Sequence, residues 1–371
     1  MSEVPTQSGP IAVYGATGYT GRLVAAELQR RGAEFVLAGR NEAKLEIVAE
    51  DVGSAPIRAV PLDDADGLRE LFEPCSVVIA CAGPFQQHGE PVLAAALDAG
   101  THYLDTTGEQ TFMRKVFEAY GAKAADAGVV AVTAMGFDYV PGDMIAALVS
   151  DGMGPLDEIA LAYWTRGFGP TRGTALSALG MLRGGDFEWR DGELQPASQS
   201  VGRGSWDFPE PVGRQRMVRY PAGEHVTVPR HVDTQSVRTM LTASSVMPIP
   251  RLGFTAPFTM PAVQLMVKTP VRRALEAAIS RLPEGPDSEQ RRASRLMVVC
   301  EAVEGSRRRR GVVTGQDAYG LTARTTVEAA LRCAAPGYDR TAALAPSEAF
   351  APSEFLDALA GAGLDYEVEP A

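Results

Sequence analysis

The chain has few cysteines, and none in a pattern that pairs or binds metal. Cys75, Cys81, Cys300 and Cys333 are the only four in 371 residues. They show no C-x-x-C spacing, so neither a disulfide framework nor a zinc site is expected, and a reducing cytoplasm fits. Cys81 closes an apolar run, where a buried thiol acting as a small hydrophobe is expected. Positive charge is short as well. The 35 Lys and Arg against 46 Asp and Glu leave a net charge of -11, which argues against nucleic acid as a partner. The run Arg307-Arg308-Arg309-Arg310, between Gly305 and Gly311, is a local exception and reads as a solvated turn between two strands. No uninterrupted apolar run reaches the about 18 residues needed to cross a bilayer. Residues Val246 to Val267 come nearest, but Pro248, Pro250, Pro257 and Pro261 break them. That stretch lines a greasy substrate pocket or forms a buried loop-and-strand region. The N-terminus, with Glu3 and Pro5, does not read as a signal peptide. G-x-S-x-G, H-E-x-x-H and Tyr-x-x-x-Lys patterns are all absent, which leaves hydrolase and short-chain dehydrogenase chemistry without support. His225 and His231 stand apart from carboxylate or cysteine partners, so no metal is expected.

What is present starts with Ile11-Ala12-Val13-Tyr14-Gly15-Ala16-Thr17-Gly18-Tyr19-Thr20-Gly21. An apolar strand stops at a glycine, two more glycines follow at three-residue intervals, and a helix begins. This is the strand–turn–helix that opens a dinucleotide-binding domain. Gly15 permits the tight turn, Gly18 lets the backbone approach a pyrophosphate, and Gly21 lets the helix lie close to the sheet. Thr17, Tyr19 and Thr20 complete the loop, whose N–H groups and helix dipole hold phosphate. A second strand, Glu34 to Ala38, ends in Gly39-Arg40-Asn41. An acidic residue at this strand end would bond the ribose 2′-hydroxyl of NAD. Arg40 suits the 2′-phosphate of NADP instead, and one charge-assisted hydrogen bond of about 1.5–3 kcal/mol gives roughly tenfold to hundredfold preference. The alternative is an exposed arginine beside a helix capped by Asn41.

Further strands are expected at Ile57–Leu62, Ser76–Cys81, His102–Asp105 and Val129–Thr133. Helices start at Asn41 and at Glu90-Pro91, and a long one spans Gln110 to Ala127. Asp63, at the end of the third strand, contacts adenine or is a plain loop aspartate. Ala82-Gly83-Pro84 after the fourth strand leaves room for the nicotinamide half. Six strands alternating with helices predict an α/β fold with a Rossmann-type doubly wound parallel sheet. Beyond Gly136 the pattern changes. Met144–Val149 and Thr174–Leu182 read as helix. Short alternating runs such as His225–Val228 and Ser236–Leu241 read as strands, joined by Leu296–Ala302 and Gly311–Thr314. Thr322–Cys333 and Pro352–Gly361 read as helix and Leu364–Val368 as strand. The expected domains are 1–135 for NADP binding, 136–335 as an α+β substrate domain with a mixed or antiparallel sheet, and 336–371 as a segment packing back on the first.

With these residues in place the chain resembles the saccharopine dehydrogenase-like oxidoreductases, and within them the branch that includes trans-acting enoyl reductases. The resemblance rests on the glycine turn, Ala38-Gly39-Arg40, Ala82-Gly83-Pro84-Phe85 with Gly89-Glu90-Pro91-Val92, and Gly100-Thr101-His102-Tyr103-Leu104-Asp105 with Thr107-Gly108-Glu109. Gly136-Phe137-Asp138-Tyr139-Val140-Pro141-Gly142-Asp143, Glu284-Gly285-Pro286 and Gly315-Gln316-Asp317-Ala318-Tyr319-Gly320-Leu321-Thr322-Ala323 extend it. It implies NADP(H) binding by the first domain and hydride transfer to an unsaturated centre held by the second.

A proton donor for the reduced centre is sought near the nicotinamide. Tyr139 is one candidate, oriented by Asp138; the bland reading makes Asp138 a helix cap and Tyr139 a packing residue. His88, after the Pro84-Phe85 turn, is another, or a surface loop histidine. The expected function is a cytoplasmic NADPH-dependent oxidoreductase delivering hydride to an activated C=C bond of an acyl or polyketide-type, lipid-like small molecule. Rivals are C=N reduction, with Arg166, Arg172, Arg203, Arg214 and Arg230 as carboxylate clamps, and a non-catalytic NADP sensor. Homo-oligomerisation stays open.

Overall fold

The computed structural model describes residues 7–181, 185–197, 203–246, 269 and 271–370. Of the apolar stretch Val246–Val267, residues 247–267 therefore lie outside the described residues. The chain divides into two units, Met1–Val140 with Tyr319–Ala351, and Pro141–Ala318 with Pro352–Ala371.

The first unit is built on β1 (Ile11–Tyr14), β2 (Phe35–Gly39), β3 (Ile57–Ala59), β4 (Val77–Ala80), β5 (His102–Asp105) and β6 (Val130–Val132). A late strand, Ala342–Leu344, joins β6 in parallel register, so the sheet has seven strands rather than six. The order is Ala342–Leu344, β6, β5, β4, β1, β2, β3, with every pairing parallel. The chain winds outward from β1 in both directions, which puts the switch point between β1 and β4, where such sheets bind their ligands. β1, β2 and β4 are buried along their whole length, as strands covered on both faces must be. Helices α1 (Tyr19–Arg31), α2 (Glu42–Asp51), α3 (Ala65–Phe72) and α4 (Phe85–Asp98) make the crossovers.

Two helices differ from the sequence reading. α4 starts at Phe85, with Pro91 inside it, rather than at Glu90-Pro91, because a distant carboxylate caps its first turn. The expected long helix Gln110–Ala127 is divided into α5 (Gln110–Lys115) and α6 (Gly121–Asp126) by a π-turn at Val116–Tyr120. Asn41 does cap α2, its side chain accepting from the Lys44 N–H at 3.0 Å.

The second unit is a mixed sheet. It uses α7 (Val140–Ser150), β7 (Glu158–Arg166), the small hairpin β8 (Phe187–Arg190) and β9 (Glu193–Pro196), then β10 (Arg203–Asp207), β11 (Arg214–Arg219), β12 (Val237–Thr242), β13 (Arg295–Glu304) and β14 (Arg307–Gln316). The large sheet runs β10, β11, β12, β7, β13, β14 and Leu364–Val368. Only β12 with β7 is parallel. Segment 336–371 is thus shared out: Ala342–Leu344 extends the first sheet, and Leu364–Val368 the second.

His225–Val228 is not a strand. Glu224–Thr227 is a helical turn followed by a 3₁₀ turn. The polar alternation there reflects buried hydrogen bonding, since His225 Nδ1 accepts from the Trp189 N–H at 3.1 Å and Nε2 meets Thr239 Oγ1 at 2.9 Å. Nor do the four arginines form the turn. Gly305, at φ +58°, makes the turn and Arg307–Arg310 open β14. Arg309 bonds the Asp151 and Glu369 carbonyls and Arg310 the Asp207 carbonyl, which holds these charges at the strand surface.

Candidate cofactor site

The three glycines after β1 have separate mechanical reasons. Gly15 adopts φ +84°, and a Cβ there would lie 2.9 Å from the Ala82 nitrogen, so the turn off β1 abuts the loop after β4. A Cβ on Gly21 would fall 2.3 Å from the Gly15 carbonyl oxygen, so any side chain drives α1 off the turn. Gly18 is the extended N-cap of α1. The first turn of α1 carries neither a side-chain cap nor an acidic residue. Its dipole thus meets an incoming anion with no side-chain cap in the way. Thr17, Tyr19 and Thr20 are half-buried around it, and Gly18 is exposed.

Next to the ends of β2 and β3 the Tyr14 hydroxyl donates to the Val60 carbonyl at 2.9 Å. Burial pushes this phenol up to about 12, while Arg40 pulls it down and Asp63 pushes it up. Arg40 and Asp63 are both exposed, and both act on the same hydroxyl. The segments that follow β2 and β3 therefore bring a cation and an anion within electrostatic reach of Tyr14.

The loop Ala82-Gly83-Pro84 leads into α4, and its anchor comes from far along the chain. The buried Glu109 carboxylate accepts the Phe85 N–H at 2.9 Å on one oxygen and the Gln86 N–H at 3.0 Å on the other. His88 lies half-buried one turn on, its Nδ1 3.3 Å from the Gly83 carbonyl. Because a carbonyl only accepts, that nitrogen carries the proton.

Asp105, at the end of β5, ties three loops together. Its Oδ1 accepts the Thr107 N–H at 2.9 Å, the Ala134 N–H at 2.9 Å and the Thr133 hydroxyl at 3.0 Å. The buried Tyr103 hydroxyl lies close enough to this carboxylate to act on it, and Oδ2 has no other partner. Burial pushes this carboxyl up from 3.8 to about 6, against the pull of those donors. The folded state therefore holds the proton more tightly than the unfolded chain. This group's contribution to stability falls as pH rises from about 4 to about 6, by on the order of 3 kcal/mol. Asp105→Asn keeps the Oδ1 acceptor and removes the titration. The melting temperature of wild type minus variant should then fall across that window and level off above it; parallel profiles would rule the effect out.

The loop after β6 is held by the helix Ala318–Ala334. Thr322 Oγ1 accepts the Phe137 N–H at 3.1 Å, and the Thr326 hydroxyl donates to the Met135 carbonyl at 2.8 Å. Tyr139 is fully buried and donates its hydroxyl proton to the Gly108 carbonyl at 2.9 Å. Asp138 is half-buried between two glycines. A Cβ on Gly136 would lie 2.2 Å from its Oδ1, and one on Gly108 3.5 Å from its Oδ2. Loss of water on burial pushes this carboxyl up from 3.8 to about 7, against a hydrogen bond from its own backbone. Tyr319 meets the ring of Tyr19 at 5.2 Å and that of Phe137 at 6.5 Å, so an aromatic group links the glycine turn to this loop.

Sequence reasoning missed Glu109, Asp105 and Tyr319 as site builders. They sat inside the landmark strings, but no local spacing rule connects Glu109 with Phe85, 24 residues away. It also misjudged His231, which is not isolated: its Nε2 lies 3.0 Å from Oδ2 of the buried Asp143. No group of three metal-ligating side chains occurs among the described residues. Two of the proposed clamp arginines are engaged elsewhere, Arg172 with the Leu282 carbonyl and Arg214 with Ser205. Cys81 is held neutral, its thiol pushed up to about 12 by burial.

Comparison with known proteins decides what this turn belongs to. The saccharopine dehydrogenase NADP binding domain matches residues 11–132. The cofactor of this domain is NADP(H), in keeping with Arg40 at the β2 end. A Mycobacterium tuberculosis protein described as a trans-acting enoyl reductase is 36% identical over 183 residues, 46% of this chain and 44% of that protein. A trans-acting enoyl reductase of Mycobacterium ulcerans is 35% identical over 162 residues, 41% and 39% of the two chains. A lipid droplet localized protein of Caenorhabditis elegans is 34% identical over 146 residues, 36% and 34%. The matched segments thus span less than half the length of these relatives. Saccharopine dehydrogenase (L-Glu forming) of Saccharomyces cerevisiae shares the fold around this domain over 98% of this chain and 100% of its own, at TM-score 0.62 and 14% identity. No described helix is long and apolar enough to cross a membrane.

Proposed function

We propose that the protein is a cytoplasmic NADPH-dependent reductase that delivers hydride to an activated C=C bond of an acyl or polyketide-type substrate. The observation that carries the redox reading is the uncapped, acid-free head of α1 on its glycine turn, with Arg40 at the neighbouring strand end. The choice of C=C is supported by the relatives described as trans-acting enoyl reductases, and a lipid-like substrate by the lipid droplet relative.

Bound NADPH supplies a hydride. The residues of the chain do the rest. Gly15, Gly18 and Gly21, with the backbone of Thr17, Tyr19 and Thr20, hold the pyrophosphate. Arg40 holds the 2′-phosphate, and Asp63 flanks the adenosine. Ala82, Gly83 and Pro84 leave space for the nicotinamide half. Asp138, protonated in part near neutral pH, gives the proton that completes reduction. Tyr139 serves this step by fixing Gly108 rather than by donating, since its own proton is already committed. His88 steadies the Gly83 carbonyl.

The test uses NADPH deuterated at the transferable position, incubated with the protein and a small-molecule extract of its native host. Mass spectrometry should find a metabolite that gains one deuterium at a former C=C carbon, and the gain should vanish with Gly18→Val. Label at a former C=N carbon would replace the C=C reading with imine reduction. NADPH binding without any labelled product would favour a sensor.

A further inference from the structure

Two helices of the first unit begin at the crevice between β1 and β4, and their heads are electrostatic opposites. α1 opens on Gly18 with no side-chain cap and no acid in its first turn. The head of α4 is closed by Glu109, one carboxylate oxygen for each of the Phe85 and Gln86 N–H groups. That carboxylate compensates the positive end of α4 and satisfies two of its orphan donors.

Glu109 is itself held from behind. Its N–H donates to Thr107 Oγ1 at 3.1 Å, the Thr107 N–H donates to Asp105 Oδ1, and the following contact is the Tyr139 hydroxyl on Gly108. The Ala82-Gly83-Pro84 loop is thereby clamped between the Cys81 N–H bond to the Tyr14 carbonyl at 2.8 Å and the Glu109 cap. Ala82 is also the residue against which Gly15 turns. A shift of the α4 head would move the loop on which the nicotinamide half is to lie, while the Arg40 end of the site lies on the other side of β1.

We propose that Glu109 is a positioning residue for the nicotinamide half of the cofactor, holding the loop after β4 in place and closing the head of α4 to phosphate. This rests on the NADP reading of the site. A glutamine is the same shape but offers one acceptor, and it turns an N–H₂ group toward the second backbone donor.

The experiment titrates the full chain with NADP⁺ and with 2′,5′-ADP, which shares the phosphorylated adenosine half and lacks nicotinamide. Glu109→Gln should weaken NADP⁺ binding about tenfold, while 2′,5′-ADP binding stays within about twofold of wild type. Gln86→Pro removes one of the two donors from the other partner, in a first helical turn where proline is tolerated, and should give the same split. Equal losses for both ligands, or no loss for either, would overturn the proposal, since a purely structural role does not distinguish the two halves. A wild-type protein that binds neither ligand would instead overturn the NADP reading itself.

Discussion

Arg40→Asp will weaken NADPH binding roughly hundredfold, leave NADH binding within a few-fold, and so remove the preference for the phosphorylated cofactor. The arginine is exposed at the end of β2, so the change removes no packing and should shift stability by no more than about 0.5 kcal/mol. What it removes is a charge-assisted contact to a dianionic phosphate, and what it adds is repulsion beside the existing carboxylate of Asp63. Because the site is open to solvent, the wild-type preference should also shrink as salt is raised. Titration calorimetry with both nucleotides at two salt concentrations tests this. A variant that kept full preference for NADPH would show that another cation reads the 2′-phosphate.

Asp138→Asn should lower the turnover number by a factor on the order of 10² to 10⁴ and erase the pH dependence around neutrality. The surrounding protein raises this carboxyl to about 7. A substantial fraction of the molecules then carries the acidic proton near pH 7, where an ordinary aspartate would retain about 0.1% or less. Activity should be highest below about pH 7 and fall roughly tenfold per unit above it, as the donor is lost. Asparagine is close in shape but has no proton to give, so hydride transfer would leave its product without general-acid help at any pH. Steady-state rates from pH 5.5 to 9 decide it. An Asp138→Asn enzyme with wild-type turnover and the same profile would reduce Asp138 to packing beside Gly136.

Most of the first sheet was legible because parallel strands buried on both faces are written as continuous apolar runs. Ile11–Tyr14, Phe35–Gly39 and Val77–Ala80 needed no context. Ala342–Leu344 was invisible for the opposite reason. Three small apolar residues carry no period, and only pairing with β6 makes them a strand. Residues 225–228 misled through the same logic of period, since alternating His, Val, Thr and Val suits a half-buried strand as well as a helical turn with its polar atoms bonded inward. The start of α4 was misplaced because proline at position 91 is a strong local signal, whereas the true cap, Glu109, acts through space.

The glycine turn after β1 and the arginine after β2 are readable without tertiary context, because they depend on backbone conformation and on residues within one strand–turn–helix. Tertiary structure alone decided which acids matter. Asp105, Glu109 and Asp138 are ordinary carboxylates in the linear chain. Asp105 and Glu109 are set by burial and by backbone donors that other segments bring to them, and Asp138 by burial. Desolvation and hydrogen-bond geometry are properties of the surrounding atoms, and spacing along the chain does not encode them.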